Sequence, residues 1–274
     1  MHHTFTTQHV GVFDSGVGGL SILKALQQHL PGENFVYLAD SAFAPYGERD
    51  EAFVLERARA CLSLLRQHQT IKALVVACNT ATALAISVLR QENPELPIFG
   101  VEPAIKPAAA ASLTHKIGVL ATAATLQSSK FLELLDRLQT TDTEFVLQAC
   151  EGLADAIEQQ WQTGGNTAVL GLCRQYLAQM GAFGNAAGQI DTLVLGCTHY
   201  PFASRELQSL AGASVRLIEP GTPVAKRVQQ VLQEKGLIVE ADAGQLQLLA
   251  TGETRNLQEA VWHWLGQRQP VLNV

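Results

Sequence analysis

Short runs of branched apolar residues alternate along this chain with longer segments whose apolar positions recur every three or four residues. The first pattern is typical of buried parallel strands, and the second of amphipathic helices that pack on them. The clearest strands are predicted at residues 10–13, 35–39 and 71–77, and the clearest helices at 20–30 and 51–67. This alternation predicts an α/β fold with doubly wound, mainly parallel sheets.

Two predicted strands end in the same way, which indicates an internal repeat. The runs before Cys78 and Cys197 are apolar and close on a small residue, and hydrogen-bonding residues follow each cysteine. An earlier strand that ends in a polar turn precedes each run, at residues 10–13 and 117–120. The pattern predicts two related halves, each with one cysteine at a strand end.

Ligands bind at the carboxyl edges of the strands in open α/β sheets, so both cysteines are predicted to face a crevice. A helix is predicted to begin at Asn79, and the polarity of a helix N-terminus favours a thiolate at Cys78. A lone cysteine is more often a small buried core residue. We keep that second interpretation for Cys61, Cys150 and Cys173.

The glycine-rich segment DSGVGG at residues 14–19 lies between the first predicted strand and helix. Its glycines suit a tight turn with permissive dihedral angles. The same segment also suits a cradle for an anionic group at a helix N-terminus. Both interpretations stay open, but the GxGxxG pattern is absent, so no dinucleotide site is predicted.

The length of 274 residues and the 47% hydrophobic content favour two domains. Residues 102–103, Glu-Pro, form a plausible crossing into the second half, whose closing strand carries the second cysteine. The remaining tail has no counterpart in the first half. The predicted division is therefore a discontinuous first domain of residues 1–102 and 216–274, and a second domain of residues 103–215.

Composition excludes several classes of protein. The net charge of −6 argues against a nucleic-acid-binding surface. No apolar run approaches the roughly 20 residues that span a bilayer, and the polar N-terminal nine residues lack a signal core, which predicts a cytoplasmic protein. The five cysteines form no CxxC pair and lie at no zinc spacing with histidines, so neither a disulfide framework nor a metal site is predicted.

Two thiols that face one crevice suggest acid–base chemistry. One thiolate can remove a proton from a carbon while the opposite thiol delivers another, which inverts the stereochemistry of that carbon. Nearby Ser and Thr hydroxyls suit carboxylate groups of a substrate, and Asp14 suits an ammonium group or a proton relay. The residues alone therefore favour inversion at a carbon of a small charged molecule.

Four motifs resemble those of the glutamate racemases, within the aspartate/glutamate racemase superfamily. They are DSGVGG at 14–19, PYG at 45–47, ACNTA at 77–81 and GCTHYP at 196–201, and the resemblance covers about residues 10–230. It implies an isomerase that interconverts L- and D-glutamate without a cofactor or metal. It also implies a supply of D-glutamate for peptidoglycan, hence for the cell wall and cell shape, and two pseudo-symmetric flavodoxin-like domains with the active site between them.

The resemblance also assigns roles to residues. Cys78 would exchange the proton of D-glutamate and Cys197 that of L-glutamate, with Asp14 and His199 as their respective polar neighbours. The implied substrate-binding residues are Asp14, Ser15, Pro45, Tyr46, Gly47, Asn79, Thr80, Thr122, Thr198 and His199.

The sequence departs from the family pattern after Cys150, where many members continue with proline before a functional glutamate. By spacing, Glu158 is the counterpart of that glutamate and a catalytic candidate, on a helix predicted over residues 153–162. Glu151 or Asp155 are alternatives for the role, and a solvated helix face is an equal alternative for all three.

Two other functions stay open at this point. One is a racemase of aspartate or another acidic amino acid, since periodicity does not reveal the size of the pocket. The other is a two-lobed protein that binds an acidic amino acid without chemistry, which would not require two thiols. The expected partner is a small molecule, with no nucleic acid and no membrane; a homodimer is compatible with the sequence.

Overall fold

The computed structural model describes residues 8–160 and 165–274, which divide into two compact units. The first unit consists of the described residues up to Val101 together with Gly221–Val274, and the second of Glu102–Pro220. Each unit contains one sheet, and each is described separately below.

Strands and helices alternate along the described chain. The strands are β1 (Gln8–Asp14), β2 (Phe35–Ala39), β3 (Thr70–Val76), β4 (Ile98–Gly100), β5 (Lys116–Ala121), β6 (Glu144–Ala149), β7 (Thr192–Leu195), β8 (Arg216–Ile218), β9 (Leu246–Ala250) and β10 (Val271–Asn273). The α-helices are α1 (Leu20–His29), α2 (Glu51–His68), α3 (Asn79–Glu92), α4 (Ile105–Ala111), α5 (Ala123–Gln127), α6 (Ser129–Leu138), α7 (Leu153–Gln159), α8 (Thr167–Met180), α9 (Ser204–Ala211), α10 (Gly221–Glu234) and α11 (Thr254–Leu265). Short 3-10 helices cover Ser41–Phe43, Tyr46–Glu48 and Tyr200–Ala203.

The two sheets share one strand order. The first runs β10-β9-β2-β1-β3-β4 and the second β6-β5-β7-β8, and the neighbours in both pair in parallel. The order of β2-β1-β3-β4 is repeated by β6-β5-β7-β8, and it is the order of flavodoxin-like sheets up to the fourth strand. The predicted α/β fold with mainly parallel sheets is confirmed.

Burial along the strands explains why the sequence selects them. All five residues of β2 are buried, and so are six of the seven in β1, as expected for apolar parallel strands covered on both faces. The edge strand β6 has no fully buried residue. In the core of the first unit, Phe13 and Val36 pack with α2 residues such as Leu65.

Several elements differ from the predictions. The helix α4 was not predicted, although Pro107 lies in its first turn, where proline needs no intrahelical partner. The three-residue strand β10 was also missed. The predicted helix over 153–162 is α7 as far as Gln159, and residues 161 and 162 lie outside the described residues. Within the described ranges, no helix is both long and apolar enough to cross a bilayer.

The unit boundaries differ by a few residues from the predicted ones. The second unit extends to Pro220 rather than to residue 215. The physical reason is β8, whose residues Arg216 and Leu217 align with Thr192 and Leu193 of β7 in the second sheet. The tail that follows adds β9 beside β2 and β10 beside β9 in the first sheet.

A buried carboxylate holds together the amino edge of the second sheet. Asp191 accepts hydrogen bonds from the Ser112 hydroxyl at 2.6 Å, from the amides of Leu113 and Thr114 at 2.6 and 3.0 Å, and from the Thr192 hydroxyl at 2.9 Å. Burial alone would raise the pKa of Asp191, but these donors outweigh it and lower the pKa below its ordinary value.

This carboxylate should make the protein sensitive to acid. A lowered folded-state pKa means that Asp191 contributes stability above its unfolded pKa of about 3.9, and that the contribution is lost as the pH falls through the folded value. We expect Asp191→Asn to lower the free energy of unfolding at pH 7 by about 1–3 kcal/mol and to flatten its decline below pH 5. Urea unfolding at several pH values measures both effects. The exposed Asp142→Asn variant is the control, and an unchanged acid profile in Asp191→Asn would contradict the assignment.

Candidate active site

Both candidate cysteines lie at equivalent places in the two sheets. Cys78 follows β3 and Cys197 follows β7, and in each case the neighbouring central strand, β1 or β5, also ends at the same edge. In a flavodoxin-like sheet the crevice between these two strands is the topological switch point, where ligands bind.

The backbone makes the equivalence close. The amide of Ala77 donates to the carbonyl of Phe13 at 2.7 Å, and the amide of Gly196 donates to the carbonyl of Leu120 at 2.7 Å. A Cβ on Gly196 would lie 2.7 Å from that carbonyl oxygen, so glycine is required for the approach. Each ladder therefore continues to the residue before the cysteine.

The Cys78 thiol is held by the start of a helix and by a hydroxyl. It caps α3, where its Sγ accepts from the amide of Ala81 at 3.5 Å, and Sγ lies 3.8 Å from Oγ of Ser15. Amide donors and the helix dipole favour a thiolate at this position. The structure thus brings Ser15 and Cys78 together, as the motifs imply.

Asn79 presents an unsatisfied acceptor beside this thiol. Its side-chain amide nitrogen donates to the carbonyl of Val101 at 3.0 Å, but among the described residues its buried Oδ1 has no hydrogen-bond partner. A buried polar atom without a partner costs free energy, so such atoms in native proteins require an explanation. An ammonium or other donor group of a ligand would satisfy it. Thr80, next in α3, is also buried.

The turn at residues 14–19 is tightly packed. The buried carboxylate of Asp14 accepts from the amide of Gly16 at 2.8 Å, and the Tyr37 hydroxyl donates to the carbonyl of Gly16 at 2.8 Å. A Cβ on Gly19 would lie 2.7 Å from the Cβ of Asp14. The glycines therefore allow the turn to close over the end of β1.

The side chain of Tyr46 points into the protein rather than forming the wall of a ligand site. It is 1% exposed, and its hydroxyl donates a short hydrogen bond to Asp40. Asp40 also accepts two hydrogen bonds from Arg57, both at 2.9 Å, and one from the hydroxyl of Thr251 at 2.9 Å. Burial, with the charge of Asp40, raises the pKa of Tyr46.

This polar cluster was missed by the sequence analysis. Its partners lie just after β2, in α2 and just after β9, and no short motif links them. The sequence offered one sign of this cluster: Asp40 directly follows β2, as Cys150 directly follows β6 in the second unit. The amide of Asp40 donates to the carbonyl of Asp14 at 2.9 Å, and the amide of Cys150 donates to the carbonyl of Ala121 at 3.0 Å. Pro45 and Gly47 are partly exposed on either side of Tyr46.

In the second unit, Cys197, His199 and Glu158 form a chain of contacts. The Nδ1 of His199 lies 3.7 Å from Sγ of Cys197, and its Nε2 lies 2.7 Å from Oε1 of Glu158. Because a carboxylate only accepts, Nε2 carries the hydrogen toward Glu158 and Nδ1 faces the thiol. Burial disfavours the imidazolium, but the contacts with Cys197 and Glu158 outweigh it and raise the pKa of His199.

Of the three acidic candidates, Glu158 is placed against His199. Glu151 lies in the turn before α7, and Asp155 lies in the first turn of that helix. Glu158 lies one turn further, with a quarter of its side chain exposed. A spacing argument alone did not separate it from a solvated residue.

The remaining candidates lie at the carboxyl edge of the second sheet. Thr122 caps α5, where its Oγ1 accepts from the Thr125 amide at 3.3 Å and donates to the Thr125 hydroxyl at 2.9 Å. Thr198 is buried beside Cys197. Hydroxyls at this edge suit a carboxylate ligand.

Both candidate thiols are more buried than an open crevice would leave them. Cys78 is 5% exposed and Cys197 6%, so neither faces bulk solvent. The other cysteines are core residues, as predicted: burial raises the pKa of Cys173 to about 12, and it also raises the pKa values of Cys61 and Cys150. They are not free of polar neighbours, because Cys61 Sγ lies 4.0 Å from the Tyr46 hydroxyl.

Comparison with known proteins places this arrangement in a family. Residues 19–228 match the sequence profile described as Asp/Glu/Hydantoin racemase. The chain belongs to the Asp/Glu/hydantoin racemase family. A glutamate racemase of Ectopseudomonas mendocina (strain ymp) is 43% identical over 265 residues, which cover 96% of each chain.

Solved structures of glutamate racemases agree with this placement. The glutamate racemase isoform RacE1 from Bacillus anthracis has a TM-score of 0.85 and 31% identity over 98% of each chain. The Escherichia coli glutamate racemase, in complex with L-glutamate and the activator UDP-MurNAc-ala, has a TM-score of 0.82 and 28% identity; the match covers 97% of this chain and 98% of that one. The family resemblance of the four motifs is therefore confirmed.

Proposed function

We propose that this protein interconverts L- and D-glutamate without a cofactor, by proton transfer to and from the α-carbon. The observation that carries the proposal is the matched placement of Cys78 and Cys197, each just beyond the third strand of the same flavodoxin-like order. A single buried cysteine is an ordinary core residue, whereas two in equivalent ladder positions are not explained by packing. Membership of a racemase family supports the same chemistry.

In the proposed mechanism the two thiols exchange roles with direction. With L-glutamate, the Cys197 thiolate takes the α-proton, and the Cys78 thiol delivers its own proton to the opposite face of the carbanion. With D-glutamate the roles are reversed, so one proton leaves the carbon and one arrives in each turnover. Both thiols must then reach one α-carbon, and each must regain its starting protonation state from solvent.

The neighbours of the thiols differ, and we assign them different tasks. His199, oriented by Glu158, exchanges a proton with Cys197 in the manner of a base held by a carboxylate. Asp14 would be the corresponding polar neighbour of Cys78. The unsatisfied Oδ1 of Asn79 suits the substrate ammonium. We assign the remaining candidates to binding of the substrate's charged groups: Ser15, Pro45, Tyr46, Gly47, Thr80, Thr122 and Thr198. Tyr46 would take part through its main chain, because its hydroxyl is engaged by Asp40.

This activity implies a place in metabolism. D-Glutamate made in the cytoplasm would supply peptidoglycan synthesis, and through it the cell wall and cell shape. We propose a homodimer, with which the sequence is compatible, as an assembly to be tested by light scattering.

The test is racemisation by the purified protein after dialysis against a chelator. With no added metal or pyridoxal phosphate, we expect solutions of L-glutamate to lose their optical activity. Solutions of D-glutamate should lose theirs in the same way, with a signal of opposite sign. Circular dichroism follows both reactions. Faster racemisation of aspartate would assign a different acidic substrate, and binding of glutamate without loss of optical activity would indicate a binding protein.

A further inference from the structure

The contact between Glu158 and His199 depends on a short helix. α7 has seven residues, fewer than the roughly 12–15 that a marginally stable isolated helix requires. Its position is therefore set by its packing and by the turn that precedes it. Leu153 and Ile157 are fully buried and anchor one face of the helix.

Two tyrosine hydroxyls hold the turn before α7. Tyr176 on α8 donates to the carbonyl of Glu151 at 2.6 Å, and Tyr200 donates to the carbonyl of Cys150 at 3.3 Å. Gly152 follows with φ of 71°, a left-handed conformation that favours glycine, and α7 begins at the next residue. Consecutive carbonyls are thus fixed by hydroxyls from two different elements.

The two tyrosines differ in how close they are to the chemistry. Tyr200 is the residue after His199 and is completely buried, so its removal would also disturb the histidine directly. Tyr176 belongs to α8 and contacts the backbone of the turn. Removal of the Tyr176 hydroxyl therefore takes away a hydrogen bond to the Glu151 carbonyl, and it leaves the side chains of His199, Glu158 and Cys197 chemically unchanged.

We propose that Tyr176 and Tyr200 are positioning residues, which fix the turn at Cys150 and Glu151 so that the Glu158 carboxylate stays against His199. The kinetic part of this inference rests on the proposed racemase function. The geometric part does not, because the Glu158–His199 contact can be observed in the protein without substrate. The groups that act on the His199 ring in this contact are Cys197 and Glu158.

The test is Tyr176→Phe in the full chain, which removes only the hydroxyl. A looser Glu158 stabilises the imidazolium less, so the pKa of His199, measured by NMR titration of its ring, should move down toward about 6.5. We expect kcat for L-glutamate to fall roughly three- to tenfold, the change that loss of one neutral hydrogen bond allows, with KM nearly unchanged. The His199→Gln variant assigns the ring resonances.

A double-mutant cycle separates positioning from general destabilisation. If Tyr176 acts through Glu158, then Tyr176→Phe should cause no further loss of kcat in a Glu158→Gln background. Ser112→Ala is the matched control, since it removes one buried hydroxyl contact at the opposite edge of the same sheet. It should leave the His199 titration and kcat unchanged.

Two results would overturn the inference: a His199 titration unchanged by Tyr176→Phe, or a loss of kcat that adds in full to that of Glu158→Gln. Absence of any racemisation by the native protein would instead refute the proposed function. The His199 titration would still decide whether Tyr176 positions Glu158.

Discussion

Replacing either Cys78 or Cys197 with alanine should abolish racemisation in both directions. Each direction requires a thiolate on one side of the α-carbon and a thiol on the other, so loss of either leaves half of a proton exchange. Removal of a general acid or base typically costs about 100- to 10,000-fold in rate. We therefore expect each single variant to lose at least about 100-fold in kcat from L- and from D-glutamate, measured as initial rates by circular dichroism.

The control is Cys173→Ala, because Cys173 is fully buried in α8 and has no proposed role. That variant should keep its activity even where its stability falls. Racemisation near the native rate in Cys197→Ala would contradict the assignment of that thiol as a proton donor and acceptor.

Isotope labelling tests the same exchange in the native protein. The thiol that delivers the proton has exchanged with solvent, so in deuterium oxide the product enantiomer should carry deuterium from the first turnovers. The remaining substrate should stay largely unlabelled early in the reaction. Original hydrogen retained in the product would indicate a single base, and no deuterium uptake would favour a binding protein.

The sequence was sufficient to predict the parallel sheets and the position of Cys78 and Cys197 at strand ends, because both depend on local patterns. An apolar run that closes on a small residue and a cysteine determines both the burial of the strand and the place where the thiol emerges. The repeat of that pattern predicted two related halves, and the strand order in each sheet agrees with it. Gly196 is the small residue that closes the second run, and it is small because its backbone pairs closely with Leu120 of β5 just before Cys197.

The sequence was insufficient where a side chain has partners that are distant along the chain. Tyr46 lies in a motif, but its inward orientation depends on Asp40, Arg57 and Thr251, which lie just after β2, in α2 and just after β9. Glu158 was one of three acidic residues near α7, and only the position of that helix relative to His199 distinguishes it. The short elements α4 and β10 were missed because a few residues give too little periodicity to recognise.

A buried ion pair in the first unit lies away from the candidate site, and we expect it to contribute strongly to the stability of that unit. Lys72 in β3 and Glu33 before β2 have side chains that are 2% and 0% exposed, with Nζ and Oε2 2.5 Å apart. Lys72 also donates to the carbonyl of Leu237 at 2.6 Å, and the amide of Val239 donates to Glu33 at 2.7 Å. The pair thereby ties the segment after α10 to the first sheet.

Breaking this pair should be among the most destabilising single changes in the protein. Lys72→Met leaves the Glu33 carboxylate buried without its cation, and removal of one partner of a buried pair costs about 3–5 kcal/mol. Urea unfolding of the full chain measures this loss of free energy. Glu33→Gln, which leaves the ammonium without its anion, should cause a loss of similar size.

The double variant shows why the pair matters to the fold. Each single variant leaves one buried charge without its partner, and the second substitution removes that charge. The double variant Lys72→Met with Glu33→Gln should therefore lose less free energy of unfolding than the sum of the two single losses. Arg59→Ala, which breaks an exposed pair with Glu92 on the same unit, should change the unfolding midpoint little. Strictly additive losses, or a single variant no less stable than Arg59→Ala, would mean that water or rearrangement compensates the buried charges, and that the segment at Leu237 and Val239 is held by its backbone contacts alone.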